Sequence, residues 1–239
     1  RVGYTIANKR VQPASQLLPR TNLANALMYF SRGIPVVYYG DEVGMTGTNS
    51  GKDQFARQDM FATDIEIWKN EVLIGGSPIG DGNAFAATSQ SPVAQYLIKL
   101  AQIRKENPAL ANGPMLERFS KYALYVISKK DVVDNREYLV AFNNSDSDES
   151  VDITSATSEG GWQILLGDSD ITADSNKLSF TVPALSTVIF KARNTIDVVA
   201  IKIGKLKSVF DDMTGFYQVK ADLNSADLLK VEFFTRTLG

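Results

Sequence analysis

Ile34-Pro35-Val36-Val37-Tyr38-Tyr39 is apolar at every position and closes on Gly40. A half-exposed strand alternates polar and apolar residues, so an unbroken run of this length predicts a strand buried on both faces, as in a parallel sheet. Helical patterns lie on either side of it. Upstream, Leu23, Ala24, Leu27, Met28 and Ser31 share one helical face, with Pro19 near the start and Gly33 just past the end. Downstream, Val93, Tyr96, Leu97, Leu100, Ala101 and Arg104 share a face of a helix running from about Pro92 to Glu106, which Pro108 ends. Helix, strand and helix in this order are one slice of a parallel α/β structure. The stretch between Gly40 and the second helix is rich in Gly, Asp, Ser and Thr. It is too long for an ordinary connection, so it is functional or carries small elements of its own.

From about Gly113 the hydrophobic period changes to two. Tyr122 to Ile127 and Tyr138 to Phe142 have apolar residues on both faces, and Trp162 to Leu166, Leu178 to Val182 and Thr187 to Phe190 read as further strands. Clusters of Asn, Asp, Ser and Gly separate them, which is turn chemistry. This block is expected to be an antiparallel β-sandwich. After Arg193 the alternation is cleaner: Tyr217, Val219 and Ala221 face one way, and Leu229, Val231 and Phe233 repeat the pattern. These read as opening strands of another β module, too few to cover their own apolar face.

Composition limits the chemistry. The 239 residues include no His and no Cys, which excludes a Ser-His triad, an imidazole base, a thiol nucleophile, a disulfide and a His- or Cys-ligated metal. With 25 Lys+Arg against 27 Asp+Glu there is no charge excess to attract nucleic acid or an anionic membrane. No apolar run approaches the ~18 residues of a membrane span. The chain starts at Arg1 rather than Met, and we read it as a piece of something longer.

Ligands in parallel α/β folds sit at the carboxyl ends of strands, and here that end is Gly40-Asp41-Glu42. A retaining glycosidase needs two carboxyl groups about 5 Å apart across the scissile bond. Adjacent residues on an extended strand point to opposite faces, so Asp41 and Glu42 are poorly placed as such a pair. The reading favoured for Glu42 is structural, with its carboxylate accepting loop amide or Arg hydrogen bonds at the strand end.

The segment Gly33-Ile34-Pro35-Val36-Val37-Tyr38-Tyr39-Gly40-Asp41-Glu42-Val43-Gly44-Met45 strongly resembles the last barrel strand of the alpha-amylase family of glycoside hydrolases. Asp53-Gln54-Phe55-Ala56-Arg57-Gln58-Asp59-Met60-Phe61 is similar to the loop that follows it, and Ile103-Arg104-Lys105-Glu106-Asn107-Pro108-Ala109-Leu110 to the end of the last barrel helix. The three occur in the family's order. The resemblance implies α/β plus all-β architecture: the C-terminal part of a (β/α)8 TIM barrel over 1–112, an antiparallel β-sandwich over 113–193, and the start of an immunoglobulin-like β module over 194–239. Leu229-Lys230-Val231-Glu232-Phe233-Phe234 carries the last of these assignments.

For function, the resemblance implies a parent enzyme that cleaves α-1,4-glucosidic bonds in starch-like glucans with retention. Related specificities, such as pullulanase, α-glucosidase or glucanotransferase, stay open, as does a non-catalytic carbohydrate-binding or scaffolding protein. The family's catalytic carboxylates are an Asp nucleophile, a Glu acid/base and a transition-state Asp. None maps onto this chain, since Arg1-Val2-Gly3-Tyr4 resembles the residues just after the last of them. The chain alone is therefore expected to be inactive. Asp41, Glu42, Asp53 and Arg57 are its substrate-rim or barrel-floor candidates, although a salt bridge anchoring the loop is the favoured reading of Asp53 and Arg57. No metal or cofactor is expected in this chain, although the family allows calcium in the whole enzyme. The expected partners are a starch-like polysaccharide and the missing N-terminal part of the barrel, with no nucleic acid and no membrane, in an extracellular or periplasmic setting.

Other motifs read plainly. Trp68, Trp162, Tyr122 and Tyr125 could stack on sugar rings, but at least three of them are expected in cores or interfaces. Asp146, Asp148 and Glu149 lack the Gly and distal Glu of a calcium loop, and Asp168, Asp170 and Asp174 likewise read as solvated turns. Asn143-Asn144-Ser145 is a glycosylation sequon in form only, and the Gly75 to Gly82 segment lacks the Lys-Ser/Thr of a P-loop.

Overall fold

The computed structural model describes residues 14–47, 57–69, 71–76, 78–157, 160–196, 203–213 and 216–223. Arg1 to Tyr4, Asp53 and the predicted strand at Leu229 to Phe234 lie outside these residues. The described helices are α1 (Leu17–Phe30), α2 (Glu66–Lys69), α3 (Ala84–Ala87), α4 (Pro92–Glu106) and α5 (Ala109–Asn112). Ten strands follow, in chain order: β1 (Met115–Lys121), β2 (Leu124–Lys130), β3 (Glu137–Asn143), β4 (Glu149–Thr154), β5 (Trp162–Leu166), β6 (Ile171–Asp174), β7 (Lys177–Val182), β8 (Ser186–Ala192), β9 (Ile203–Asp211) and β10 (Phe216–Leu223).

The strands form an antiparallel five-stranded sheet in the order β1-β2-β3-β8-β5, a second sheet β4-β7-β6, and a β9-β10 hairpin. Every side chain of β3 is buried. Alternation sends Tyr138, Val140 and Phe142 toward the helices, where they join Phe30, Leu97, Leu100 and Leu110. Leu139 and Ala141 point the other way, against Val151, Leu178, Phe180 and Val182 of the second sheet. The molecule is thus layered as helices, five-stranded sheet and three-stranded sheet, with two apolar cores sharing the middle layer. Each fully buried core side chain contributes ~1.5–3 kcal/mol.

Helix α4 keeps the predicted bounds because its ends are chemically marked. The Ser91 hydroxyl accepts from the Ala94 amide at 3.3 Å and Pro92 opens the first turn. At its other end Asn107 is buried. Its amide nitrogen donates to the Ile103 carbonyl at 2.9 Å, while its oxygen accepts from the Tyr138 hydroxyl at 3.2 Å and Lys191 Nζ at 3.3 Å. Nearby, Arg104 donates to the Tyr29 and Gly33 carbonyls, fastening the ends of α1 and α4 together.

Three expectations need correction. Residues 34–39 do not form a buried parallel strand: no described strand pairs with them, and Ile34 and Val36 are 89% and 73% exposed. The apolar pattern is that of a strand, but a strand is buried only when neighbours supply its hydrogen bonds and its cover. Next, α1 buries Leu17, Thr21, Leu23, Ala26 and Phe30 rather than the face containing Leu27, which is 42% exposed. Finally, three edge strands were not expected: β4 and β6, whose acidic residues read as turns, and β1, whose alternation is broken by a register shift between Glu117 and Phe119.

The five-stranded sheet holds three charged side chains largely out of solvent, an ion pair and a lysine. Arg118 and Glu137 pair at 2.7 Å, with the other Glu137 oxygen accepting from the Ala156 amide at 2.7 Å. Removing one member of such a pair costs about 3–5 kcal/mol, because the survivor stays buried and unpaired. Lys129 is 1% exposed and donates to the Leu110 carbonyl at 2.6 Å. Burial, with the Arg104 and Arg32 charges adding to it, lowers its pKa to about 8. In the unfolded chain a lysine holds its proton to about 10.4. Between these values the unfolded state binds more protons, so this group's penalty on the fold is present below about pH 8 and relieved as pH rises toward 10.4. Thermal melts should therefore show wild type gaining stability relative to Lys129→Met across that window, and a constant difference would contradict the assignment.

Candidate substrate-rim site

Past the exposed segment, residues 39–44 form a turn in which the Asp41 amide donates to the Tyr38 carbonyl and the Met45 amide to the Gly40 carbonyl, at 3.0 and 2.9 Å. Asp41 and Glu42 therefore sit on a turn, not at the end of a paired strand. Gly44 has a φ of 75°, and a Cβ there would meet the Ile74 Cβ at 3.0 Å. Only glycine serves both the left-handed backbone and this close approach. The Ile74 amide donates to the Gly44 carbonyl at 2.8 Å, and Val43, Met45, Leu73 and Ala84 form a small core beneath the loops.

The anchoring carboxylate is Glu71. It is buried, and its Oε1 accepts from the Thr46 amide at 2.5 Å and the Gly47 amide at 2.7 Å. It fixes the chain just before the segment that carries Asp53 and Arg57. The role expected of Glu42 is thus performed by Glu71, while Glu42 Oε2 is buried without a hydrogen-bond partner. The sequence held one sign of this: a charge standing directly before the apolar Val72-Leu73-Ile74 and Gly75 in an otherwise polar stretch.

The long stretch after Gly40 does carry small elements, namely α2, α3 and a 3-10 turn over Thr88–Gln90, with an isolated bridge between Val72 and Pro78. Arg57 is exposed on it, next to Gln58, which is 1% exposed with both amide atoms unpartnered. Trp68 Nε1 and Glu71 Oε2 are buried and unpartnered as well. Leaving a buried polar group unpaired costs about 1–3 kcal/mol, and native folds leave few of them. Here four side chains between positions 42 and 71 share that state: Glu42, Gln58, Trp68 and Glu71. Asp41, Glu42 and Arg57 line neither the groove of about 470 Å³ beside α3, bordered by Leu73, Ile79, Asp81 and Asn83, nor one of about 600 Å³ bordered by Glu117, Asp152 and Lys177.

Among the aromatics, Tyr125 stacks on Phe142 with centroids 6.2 Å apart, Trp162 packs on the inter-sheet core, Trp68 is half-buried, and Tyr122 is 96% exposed. Sequence reasoning passed over Phe61 and Phe85, an exposed pair with centroids 6.0 Å apart. Asn143 is wholly buried, with its amide nitrogen donating to the Ser147, Val182 and Pro183 carbonyls, which bars it from carrying a glycan. Among the described residues no three acidic side chains converge as a metal site would require, and no helix is long and apolar enough to cross a membrane.

No protein-family model matches the chain. It is 34% identical over 229 residues to an alpha-amylase of Streptomyces lividans, a match covering 93% of this chain and 24% of that enzyme. A cyclomaltodextrin glucanotransferase of a Bacillus species is 26% identical over 182 residues, covering 73% of this chain and 22% of the relative. Among solved structures, an alpha-amylase from Geobacillus thermoleovorans, complexed with acarbose, superposes with a TM-score of 0.53 at 20% identity, covering 76% of this chain and 36% of that one. Over the matched stretch the chain belongs to the alpha-amylase family of glycoside hydrolases. It spans about a quarter of the length of these two curated relatives.

The Glu71 anchor yields a direct test. Glu71→Ala strips the acceptor from two backbone donors, a loss of about 2–3 kcal/mol in local stability, since hydrogen bonds to a charged group are among the strong ones. Limited proteolysis should cut between residues 47 and 57 severalfold faster in the variant than in wild type. Equal cutting would show that Glu71 does not hold this loop.

Proposed function

We propose that this chain is the C-terminal part of an alpha-amylase-type glycoside hydrolase whose whole protein cleaves α-1,4-glucosidic bonds in starch-like glucans with retention. The observation that carries the proposal is the exposed, unpaired apolar segment 34–39, lying beside helices that are otherwise firmly packed. It has the composition of a barrel strand and, among the described residues, none of a strand's neighbours. Two further observations support the same reading. Helix α1 is apolar on several sides and leaves Leu27 exposed, as a helix does when it belongs to a larger packed structure. The unpartnered polar atoms of Glu42, Gln58, Trp68 and Glu71 call for groups supplied by other parts of the protein.

On this reading, residues 1–112 complete a (β/α)8 barrel, 113–193 form the β-sandwich that shields its last helices, and 194–239 begin a further β module. Hydrolysis with retention takes two carboxyl groups, one acting as nucleophile and the other as acid and then base. Both belong to the part of the barrel outside this chain. What the chain contributes is position: Gly44 and Glu71 hold the loop, and Asp41, Glu42, Asp53 and Arg57 stand at the barrel floor or substrate rim. Any calcium belongs to the remainder of the enzyme, and the setting is extracellular or periplasmic. The glucanotransferase relative keeps transfer to a sugar acceptor open as an alternative fate of the same glycosyl-enzyme.

The test compares reducing-sugar release from soluble starch by the full-length protein and by the 239-residue chain. Release by the full-length protein alone is expected. Release by the chain alone would mean that carboxylates within it act catalytically, and would overturn the proposal.

A further inference from the structure

The chain leaves the sandwich at the end of β8, and its exit is held rather than free. Segments joining independent modules are ordinarily exposed tethers rich in Gly, Ser or Pro. Here Asp197-Val198-Val199-Ala200-Ile201-Lys202, the stretch between Ile196 and β9, contains none of these. The residues just before it are gripped by the turn that joins β2 to β3. The Ile196 amide donates to the Asn135 carbonyl at 2.7 Å, and Asn135 Nδ2 donates to the Ile196 carbonyl at 2.9 Å. Arg136 Nη1 donates to the Ala192 carbonyl at 3.3 Å and to the Arg193 carbonyl as well. Just ahead of β5, the Gly161 carbonyl accepts from the Arg193 amide at 3.1 Å, and a Cβ on Gly160 would collide with the Asn194 side chain.

The gripping turn is braced in its own right. The Asp131 amide donates to the Arg136 carbonyl at 2.8 Å, and Asp131 Oδ1 accepts from the Val133 and Asp134 amides at 2.8 and 3.0 Å. Asn135 has a φ of 51°, a left-handed conformation that Asn adopts more readily than most residues with a side chain. None of these contacts serves burial, since neither apolar core contains a residue from 131–136 or from 193–196. Nor does β2–β3 pairing need them, because its register runs unbroken from Leu124↔Asn143 to Lys130↔Glu137. What the turn's polar groups fix is the path of the chain toward β9 and β10. Hydrogen bonds weaken steeply when misaligned, so this grip sets direction as well as position.

We propose that the β2–β3 turn is the docking junction of the β module that follows, with Asn135 and Arg136 as positioning residues that make the β9–β10 hairpin turn with the sandwich as one body. A module on an unheld linker would instead tumble separately. Of the function proposed above, only the module boundary at residue 194 is needed, and none of the chemistry.

The test is amide nitrogen relaxation of the 239-residue chain, comparing rotational correlation times in β3 and β8 with those in β9 and β10. Wild type should give one correlation time for both sets. Asn135→Asp keeps the turn's left-handed preference but has no donor for the Ile196 carbonyl, and Asn135→Gly combined with Arg136→Ala removes both side-chain grips. In each variant the hairpin's correlation time should fall below that of the sandwich by about 1.5-fold or more. Unchanged amide shifts in β3 and β8 would show that the fold is intact. A single correlation time in the variants would overturn the junction. Loss of the β9–β10 cross-strand contacts in wild type would overturn the module boundary with it, whereas an intact wild-type hairpin that tumbles separately would overturn the junction alone.

Discussion

The structure depends on one strand having no outside. β3 faces the helices with Tyr138, Val140 and Phe142 and the second sheet with Leu139 and Ala141. Both apolar cores therefore meet at this strand, and its neighbours β2 and β8 are divided in the same way, with Ile127 and Ile189 on the helix side and Val126, Val188 and Phe190 on the other. Polar groups reinforce the same seam: Asn107 and Lys129 fasten helix ends to it, and the Glu137 ion pair closes one edge. The loops around Gly44 and Gly75 rest on this layer through Ile74, Val93 and Leu18.

At the other margin the described residues leave an apolar segment uncovered. The helices around residues 34–39 are in place, and so is the turn that follows, held by Gly44 and Glu71. Missing from the described residues are strands that would flank the segment, together with partners for Glu42 and Gln58. On the function proposed above, one finished face and one unfinished face are those of a part of a closed barrel. That reading also explains how a chain without an identifiable catalytic pair can share a third of its residues with an alpha-amylase over nearly all its length.

How much of this was legible depended on whether the signal was local. Ser91, Pro92 and Pro108 mark α4 by chemistry that needs no neighbours, and Trp162 to Leu166 alternated clearly enough to be placed as β5. β1 was hidden by a register shift between Glu117 and Phe119, which breaks its alternation, and β4 by acidic residues that read as a turn although Val151 and Ile153 kept period two. The face of α1 could not be chosen because apolar residues surround it. Of the candidate site, Asp41, Glu42 and Arg57 were named from the strand pattern and the family likeness, whereas Glu71 was not, since its hydrogen bonds reach back to Thr46 and Gly47 from 24 and more residues away along the chain.

The central claim is that 34–39 is a strand awaiting its sheet. Amide hydrogen exchange at Ile34, Val36, Val37, Tyr38 and Tyr39, measured in this chain and in the full-length protein, tests it most directly. Buried strands open only with the surrounding structure, while unpaired backbone exchanges freely. The account predicts rapid exchange at these five positions here and slowing by orders of magnitude in the full-length protein. Equally rapid exchange in both would show that the segment never joins a barrel, and the assignment of this chain as barrel-closing would fall.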